Sequence, residues 1–202
     1  MEAHEPVLLK DFIKLVTPIT GCWVDCTFGA GGYSRALLQN GASQVLAIDK
    51  DSETKVFLKS IQNEYGNLIK FYNQSFADME TNDDITNRDD IDGIVLDLGV
   101  SSMHLDNPSR GFSFRKNGPL DMRMGNQPGP TASEIVNLCS EATLADLIFF
   151  YGQERKARKI ANRIVKERKK RKIKTTLELA EIIRAIVPKN SKKDPATRTF
   201  QA

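Results

Sequence analysis

The chain reads Val24-Asp25-Cys26-Thr27-Phe28, then Gly29-Ala30-Gly31-Gly32, then Tyr33-Ser34-Arg35-Ala36-Leu37-Leu38, and then Val45-Leu46-Ala47-Ile48-Asp49. Strand, glycine loop, helix, strand and acid, in this order, is how a parallel α/β sheet builds a nucleotide site. Glycines let the backbone approach a ligand where a Cβ would clash. The acid at the tip of the second strand can accept hydrogen bonds from both hydroxyls of a ribose. A G-x-G-x-x-G fingerprint starting at Gly29 needs glycine where Ser34 stands, and no frame from Gly31 completes it. The competing structural explanation is a tight turn with Asp49 as a strand-end cap. It accounts for the loop more readily than for an acid that arrives in register with it.

A glycine loop with a ribose acid and no pyrophosphate pattern fits a nucleoside without phosphates, such as S-adenosylmethionine. Composition sets the outer bounds. At 202 residues with 40% hydrophobic content, the chain holds one domain, or one domain carrying a subdomain, with a real core. No apolar run is long enough to span a bilayer, so no membrane association is expected. The start, Met1-Glu2-Ala3-His4-Glu5-Pro6, lacks the basic and apolar regions of a signal peptide. Three cysteines (Cys22, Cys26, Cys139) make a sparse, odd set suited to a reducing compartment, so the cytoplasm is expected. Cys22 and Cys26 are spaced C-x-x-x-C, but with only two histidines in the chain no zinc or other metal site is expected. Net charge is +3, yet residues 155–174 carry twelve Lys or Arg and the single acid Glu167, a local charge of +11 that leaves −8 elsewhere. Such a concentration is the electrostatic footprint of a polyanion partner.

The first half alternates strands and helices. Phe12 to Val16 predicts an entry helix stopped by Pro18, and Val24 to Phe28 and Val45 to Ile48 predict strands. Ser52 to Asn63 reads as a helix with Val56, Phe57, Leu58 and Ile61 on its apolar side. Leu68 to Tyr72 and Ile94 to Leu98 predict the third and fourth strands, joined through a poorly ordered connection, Thr81 to Asp90. Asn107 to Pro130 is rich in Gly, Pro, Asn and Arg and reads as a long loop, a feature that usually has a function. Thr131-Ala132-Ser133-Glu134 and Thr175-Thr176-Leu177-Glu178 are capping boxes that open helices, with another helix over Thr143 to Phe150. Between the last two, Ala157, Ile160, Ala161, Ile164 and Val165 recur at helical spacing beneath the basic residues. The pattern is that of half an α/β domain followed by a helical subdomain.

Leu96-Asp97-Leu98-Gly99-Val100-Ser101-Ser102, Arg110-Gly111-Phe112-Ser113-Phe114 and Gly118-Pro119-Leu120-Asp121-Met122-Arg123-Met124 resemble the bacterial 16S (small-subunit) ribosomal RNA cytosine-N4 methyltransferase family. His4-Glu5-Pro6-Val7-Leu8, Thr27 to Gly32 and the closing Pro195 to Ala202 match as well, so the resemblance runs from end to end. It implies S-adenosylmethionine as methyl donor and a cytidine in the decoding region of 16S RNA, within the small ribosomal subunit, as acceptor. Gly31, Gly32 and Tyr33 fall where the family's loop contacts the cofactor, and Asp49 where it holds the ribose. Phe76 falls near the adenine, and Asp97 matches the acid closing the fourth strand, with a catalytic and a cofactor role. His104 stands at a cofactor position where the family commonly has glutamine.

Methyl transfer to an exocyclic amine is an in-line displacement in which catalysis is largely positioning. Asp97 and nearby carbonyls are the acceptors that would localise the amine lone pair. Methylation at carbon 5 would instead need a cysteine nucleophile, and Cys22 and Cys26 sit badly for it. Phe112 and Phe114 either stack on an extruded base or anchor their loop to the core. Ser101 and Ser102 either bind substrate or form a turn. One of Arg110, Arg115 and Arg123 is expected to grip a phosphate, together with Lys169, Lys170, Arg171 and Lys172. The alternatives are a non-catalytic RNA-binding fragment and a methyltransferase for another substrate. The resemblance implies an α/β, Rossmann-like methyltransferase core with an incomplete sheet and an inserted helical subdomain, with residues 1–105 as the core, 106–195 as the insertion and 196–202 as the start of a return to the core. It also implies a further helix and strand beyond Ala202. The chain therefore reads as an N-terminal portion whose fourth strand is an open edge, inviting self-association.

Overall fold

Val24, Val45, Leu46, Ala47 and Ile48 are fully buried, as continuous apolar runs are when a parallel strand is covered on both faces. The computed structural model describes residues 6–125, 128–188 and 193–202. His4 and Glu5 of the N-terminal matching stretch lie outside them. The chain divides into two compact units, Met1–Ser101 with Met124–Gln127, and Ser102–Arg123 with Pro128–Ala202.

In the first unit, strands β1 (Cys22–Asp25), β2 (Gln44–Ile48), β3 (Ile69–Tyr72) and β4 (Ile91–Val95) form a parallel sheet in the order β3-β2-β1-β4. Period-two alternation sorts the side chains. Trp23, Val45 and Ala47 pack with Phe12 and Ile13 of α1 (Leu9–Val16), Leu37 of α2 (Gly32–Gln39) and Ile61 of α3 (Lys55–Tyr65). Cys22, Val24, Cys26, Leu46 and Ile48 face the other way, onto Ile85 of the short helix α4 (Asp83–Thr86).

Three sequence expectations shift here. The first strand begins and ends earlier than Val24–Phe28, because Asp25 receives the Thr27 amide at 3.1 Å and turns the chain. The fourth strand is Ile91–Val95 rather than Ile94–Leu98, which leaves Asp97 just beyond it. The stretch expected to be poorly ordered instead includes α4. The Asn82 side chain caps that helix by accepting the Asp84 amide at 3.1 Å, and Ile85 plugs the core.

The second unit is helical: α5 (Ser102–Asp106), α6 (Ala132–Leu138), α7 (Glu141–Phe150), α8 (Ala157–Lys170), α9 (Thr176–Arg184) and α10 (Thr197–Gln201). Leu120, Leu144, Ile148, Ile160, Ile164 and Ile183 form its core. Both capping boxes close as the sequence indicates, Thr131 with Glu134 and Thr175 with Glu178. The helix expected from Thr143 starts at Glu141, because Ser140 caps it. The loop from Asn107 onward is tied down by a bridge between Pro119 and Thr175 and by the buried Leu120. Residues 196–202 pack within the helical unit. Ala196 is fully buried in the helical core, and the Phe200 ring meets Phe114 edge-on at 5.0 Å.

Strand β4 pairs only with β1 among the described residues, so its other edge presents unpaired backbone groups. Ile94, Leu96, Leu98 and Val100 along this segment are exposed. An apolar open edge of this kind is a template for association. Light scattering of the chain is expected to rise with concentration, and Ile94→Lys to suppress the rise by placing a charge on the edge. Equal scattering from both would show that the edge is not adhesive.

Candidate active site

The sheet topology sets where a ligand would sit. From β1 the chain steps outward through β2 to β3, and then crosses to the far side of β1 for β4. Ligands of open α/β sheets bind at the carboxyl ends of the strands where this reversal occurs. Three carboxylates stand there. Asp25 is level with Ala47 of β2 and Val95 of β4, so Asp49 and Asp97 each lie two residues further along the neighbouring strands.

Asp49 holds the glycine loop. One carboxylate oxygen accepts the Gly29 amide at 2.7 Å and the other accepts the Asp51 amide at 2.8 Å. A carboxylate offers about four acceptor directions, so two remain for the paired hydroxyls of a ribose. The Asn73 amide donates to the Asp49 carbonyl at 2.8 Å, tying in the loop that follows β3. That loop leads to Phe76, which opens a 3-10 turn and is 38% exposed. These residues fit an adenosine moiety: a doubly hydrogen-bonding acid, and an exposed aromatic on the adjoining loop.

The glycines also have a packing reason. Gly31 has φ +80°, and a Cβ there would lie 2.4 Å from the Ile61 side chain and 3.0 Å from the Phe28 ring. A Cβ on Gly32 would meet Pro6 at 2.8 Å. Both are small so that the loop packs on its own core. Gly29, at φ +53°, has open space beside it, and its amide is the one that Asp49 fixes. Tyr33 is buried among core residues, its ring 5.3 Å from Phe12. Burial, and then the charges of Asp97 and Asp25, push its hydroxyl pKa up.

Asp25 is a site residue that the sequence reading misses, although its place at the end of the first strand is an available signal. It is fully buried, accepting the Ser34 hydroxyl at 2.7 Å and the Thr27 amide at 3.1 Å. Thr27 in turn accepts the Asp97 amide at 2.8 Å, so the buried acid and the exposed one are joined through a single residue. The Asp97 carboxylate accepts no hydrogen bond among the described residues and is open to a substrate. Burial raises Asp25 to about 6, against the opposing Ser34 and Thr27 hydrogen bonds. Burial likewise drives the Cys26 thiol up to about 11 and raises Cys22, so neither is a ready nucleophile.

The remaining sequence candidates divide between the units. Ser101 ends the first, whereas Ser102 opens α5 in the second. His104 is buried in the second unit with its ring 5.0 Å from Phe112. Phe114 is wedged between Phe200 and the Arg184 guanidinium, which makes it a loop anchor. Arg123 is held by both oxygens of Asp121, at 2.9 and 2.8 Å, and Arg110 reaches the Arg123 carbonyl at 3.1 Å. Arg115 is exposed. Lys169, Lys170, Arg171 and Lys172 are exposed at the end of α8, with Lys170 paired to Glu167 and Arg171 to Glu178. A groove of about 410 Å³ runs past Arg163, Lys170, Arg171 and Lys172. Arg168 is different: it donates to the Val136 and Cys139 carbonyls at 2.8 and 2.6 Å and so caps α6.

The raised Asp25 gives a stability test. Between an unfolded value near 4 and a folded value of about 6, the native state holds the proton and the unfolded chain does not. Stability from this group therefore falls as pH rises through that window, by about 3 kcal/mol in all, and is lowest above it. Asp25→Asn is expected to remove this fall in chemical-denaturation curves. A variant with the parental pH dependence would show that Asp25 is ionised throughout.

The family model described as the MraW methylase family matches residues 1–202. Relatives named ribosomal RNA small subunit methyltransferase H include one from Wolbachia sp. subsp. Drosophila simulans (strain wRi), 50% identical over 201 residues. Another from Ehrlichia ruminantium (strain Welgevonden) is 48% identical over 203 residues, and one from Ruegeria sp. (strain TM1040) is 48% identical over 201. Each alignment covers 98% of this chain, and the chain spans 69, 67 and 59% of the respective relatives. With its whole length matched, the chain belongs to the MraW methylase family, a family of methyltransferases.

Proposed function

We propose that this chain carries out S-adenosylmethionine-dependent methylation of the N4 amine of a cytidine in small-subunit ribosomal RNA, in the decoding region. The observation that carries the reading is the level placement of Asp49 and Asp97 on either side of Asp25, at the point where the sheet reverses direction. The family match and the names of the relatives support the reaction class and the RNA.

When bound, the cofactor supplies an electrophilic methyl group on a sulfonium. Asp49 accepts the ribose hydroxyls with the acceptor directions that Gly29 and Asp51 leave open. Phe76 offers its exposed ring to the adenine. Asp97, fixed at its backbone by Thr27, accepts an N–H hydrogen bond from the cytosine amine and draws its lone pair out of conjugation. With the methyl's bond to sulfur broken and a neutral thioether left behind, the methylated amine would be cationic, and Asp97 would take up its proton for release to solvent. The high thiol pKa values of Cys26 and Cys22 disfavour the covalent route to carbon 5. In the helical unit, Lys169, Lys170, Arg171 and Lys172 meet RNA phosphates, a role their exposure and charge support.

Nucleoside mass spectrometry after incubation with unmethylated small subunits should show N4-methylcytidine. Asp97→Ala should lower its yield at least about a hundredfold, as expected for a group acting in the transition state. Asp49→Ala should weaken cofactor binding in calorimetry by about 1–3 kcal/mol, the cost of unpaired hydroxyls. Formation of 5-methylcytidine, or an unimpaired Asp97 variant, would overturn the reading.

A further inference from the structure

Of the two aromatics that the sequence offers either for base stacking or for anchoring their loop, Phe114 lies against Phe200 and Phe112 against His104. Three other aromatics in the same unit are out in solvent. Phe149, Phe150 and Tyr151, at the end of α7, are 51, 69 and 70% exposed. The helix spends its inward face on Leu144 and Ile148, so this outward cluster does not hold the core together. The Phe149 and Phe150 rings meet edge to face at 5.3 Å, leaving ring surface open to a third planar group.

The surroundings are cationic. Asn162 of α8 donates to Glu141 at the start of α7 at 3.0 Å, which fixes the two helices antiparallel and brings the aromatic end of α7 beside the beginning of α8. Arg155, Arg158 and Lys159 are exposed there. Glu154 is buried, its carboxylate accepting the Lys156 amide at 2.8 Å. A groove of about 380 Å³ on α8 is lined by Arg158, Lys159, Asn162, Arg163, Lys166 and Ile186.

We propose that Phe149, Phe150 and Tyr151 form a stacking platform for unpaired bases of single-stranded RNA, whose backbone continues along the groove lined by Arg158, Lys159 and Lys166. Successive bases stacked on aromatics beside a positively charged track are the general solution for binding single strands. The exposed cations Arg155, Arg158 and Lys159 on its flank favour a polyanion as the occupant, because they can meet the phosphates of a strand whose bases lie on the aromatic rings. Asp146, one turn before Phe150, offers an acceptor to the amino edge of a stacked base. The proposal rests on the RNA-modifying reading above and adds to it a contact remote in sequence from the basic residues 169–172.

Fluorescence anisotropy of a fluorescein-labelled short oligocytidylate and of an RNA hairpin duplex would test it on this chain. The double variant Phe149→Ser/Phe150→Ser should bind the single strand at least about tenfold more weakly, since each stacked base contributes on the order of 1–3 kcal/mol. Its affinity for the duplex should be unchanged. Replacing Lys169, Lys170, Arg171 and Lys172 with glutamine should instead weaken both ligands and flatten the salt dependence. A Phe150→Trp variant guards against misfolding: its fluorescence should be quenched by the oligocytidylate. Parental affinity in the serine variant, an equal loss for duplex and single strand, or an unquenched tryptophan would overturn the platform. If the unmodified chain binds neither RNA, the RNA-modifying reading fails with it; if it binds both and the serine variant keeps the parental affinity, the platform alone fails.

Discussion

The hydrogen bond from the Gly29 amide to the Asp49 carboxylate joins the glycine loop to the second strand, and the candidate cofactor site depends on it. The bond spans two segments twenty residues apart in sequence, which the parallel pairing of β1 and β2 brings to the same level. It occupies one acceptor direction of the carboxylate, so a single group sets the loop's shape and stays available to a ligand. The packing beneath makes the geometry firm. Gly31 and Gly32 have no room for a side chain against Ile61, Phe28 and Pro6, so the loop is pressed onto the core from behind while its other side stays open.

The same economy links the cofactor side to the substrate side. Asp25 is buried at the end of β1, and its Thr27 partner accepts the Asp97 amide. The exposed acid is thus positioned through its backbone while its carboxylate stays unengaged. In an in-line displacement, where geometry accounts for much of the rate, a rigid backbone with a free acceptor is what the chemistry requires. Burying Asp25 costs stability near neutral pH, as its pKa of about 6 indicates. A local cost of this kind is tolerated where it holds a site together.

Much of this is legible in the chain. Apolar runs such as Val45 to Ile48 announce buried parallel strands, and the Thr131 and Thr175 capping boxes announce the helices that follow them. Asp49 and Asp97 stand out because they end such runs. What stays hidden depends on contacts distant in sequence. Nothing local distinguishes Phe114, packed against Phe200, from Phe150, exposed to solvent. Nor does local pattern separate Arg168, spent on the carbonyls of α6, from its neighbour Lys169, or reveal that residues 196–202 join the helical unit. The glycine loop is recognisable by its spacing, but the reason for its glycines is not. Lack of space beneath the loop is by itself enough to require glycine at Gly31 and Gly32.

The central claim is that one carboxylate, Asp49, shapes the loop and holds the ribose at the same time. A crystal structure of the chain with S-adenosylhomocysteine tests this most directly. The account predicts both ribose hydroxyls within hydrogen-bonding distance of the Asp49 carboxylate, with the Gly29 amide still bonded to it. A ribose seated elsewhere, or an Asp49 that must release Gly29 to receive it, would contradict the account.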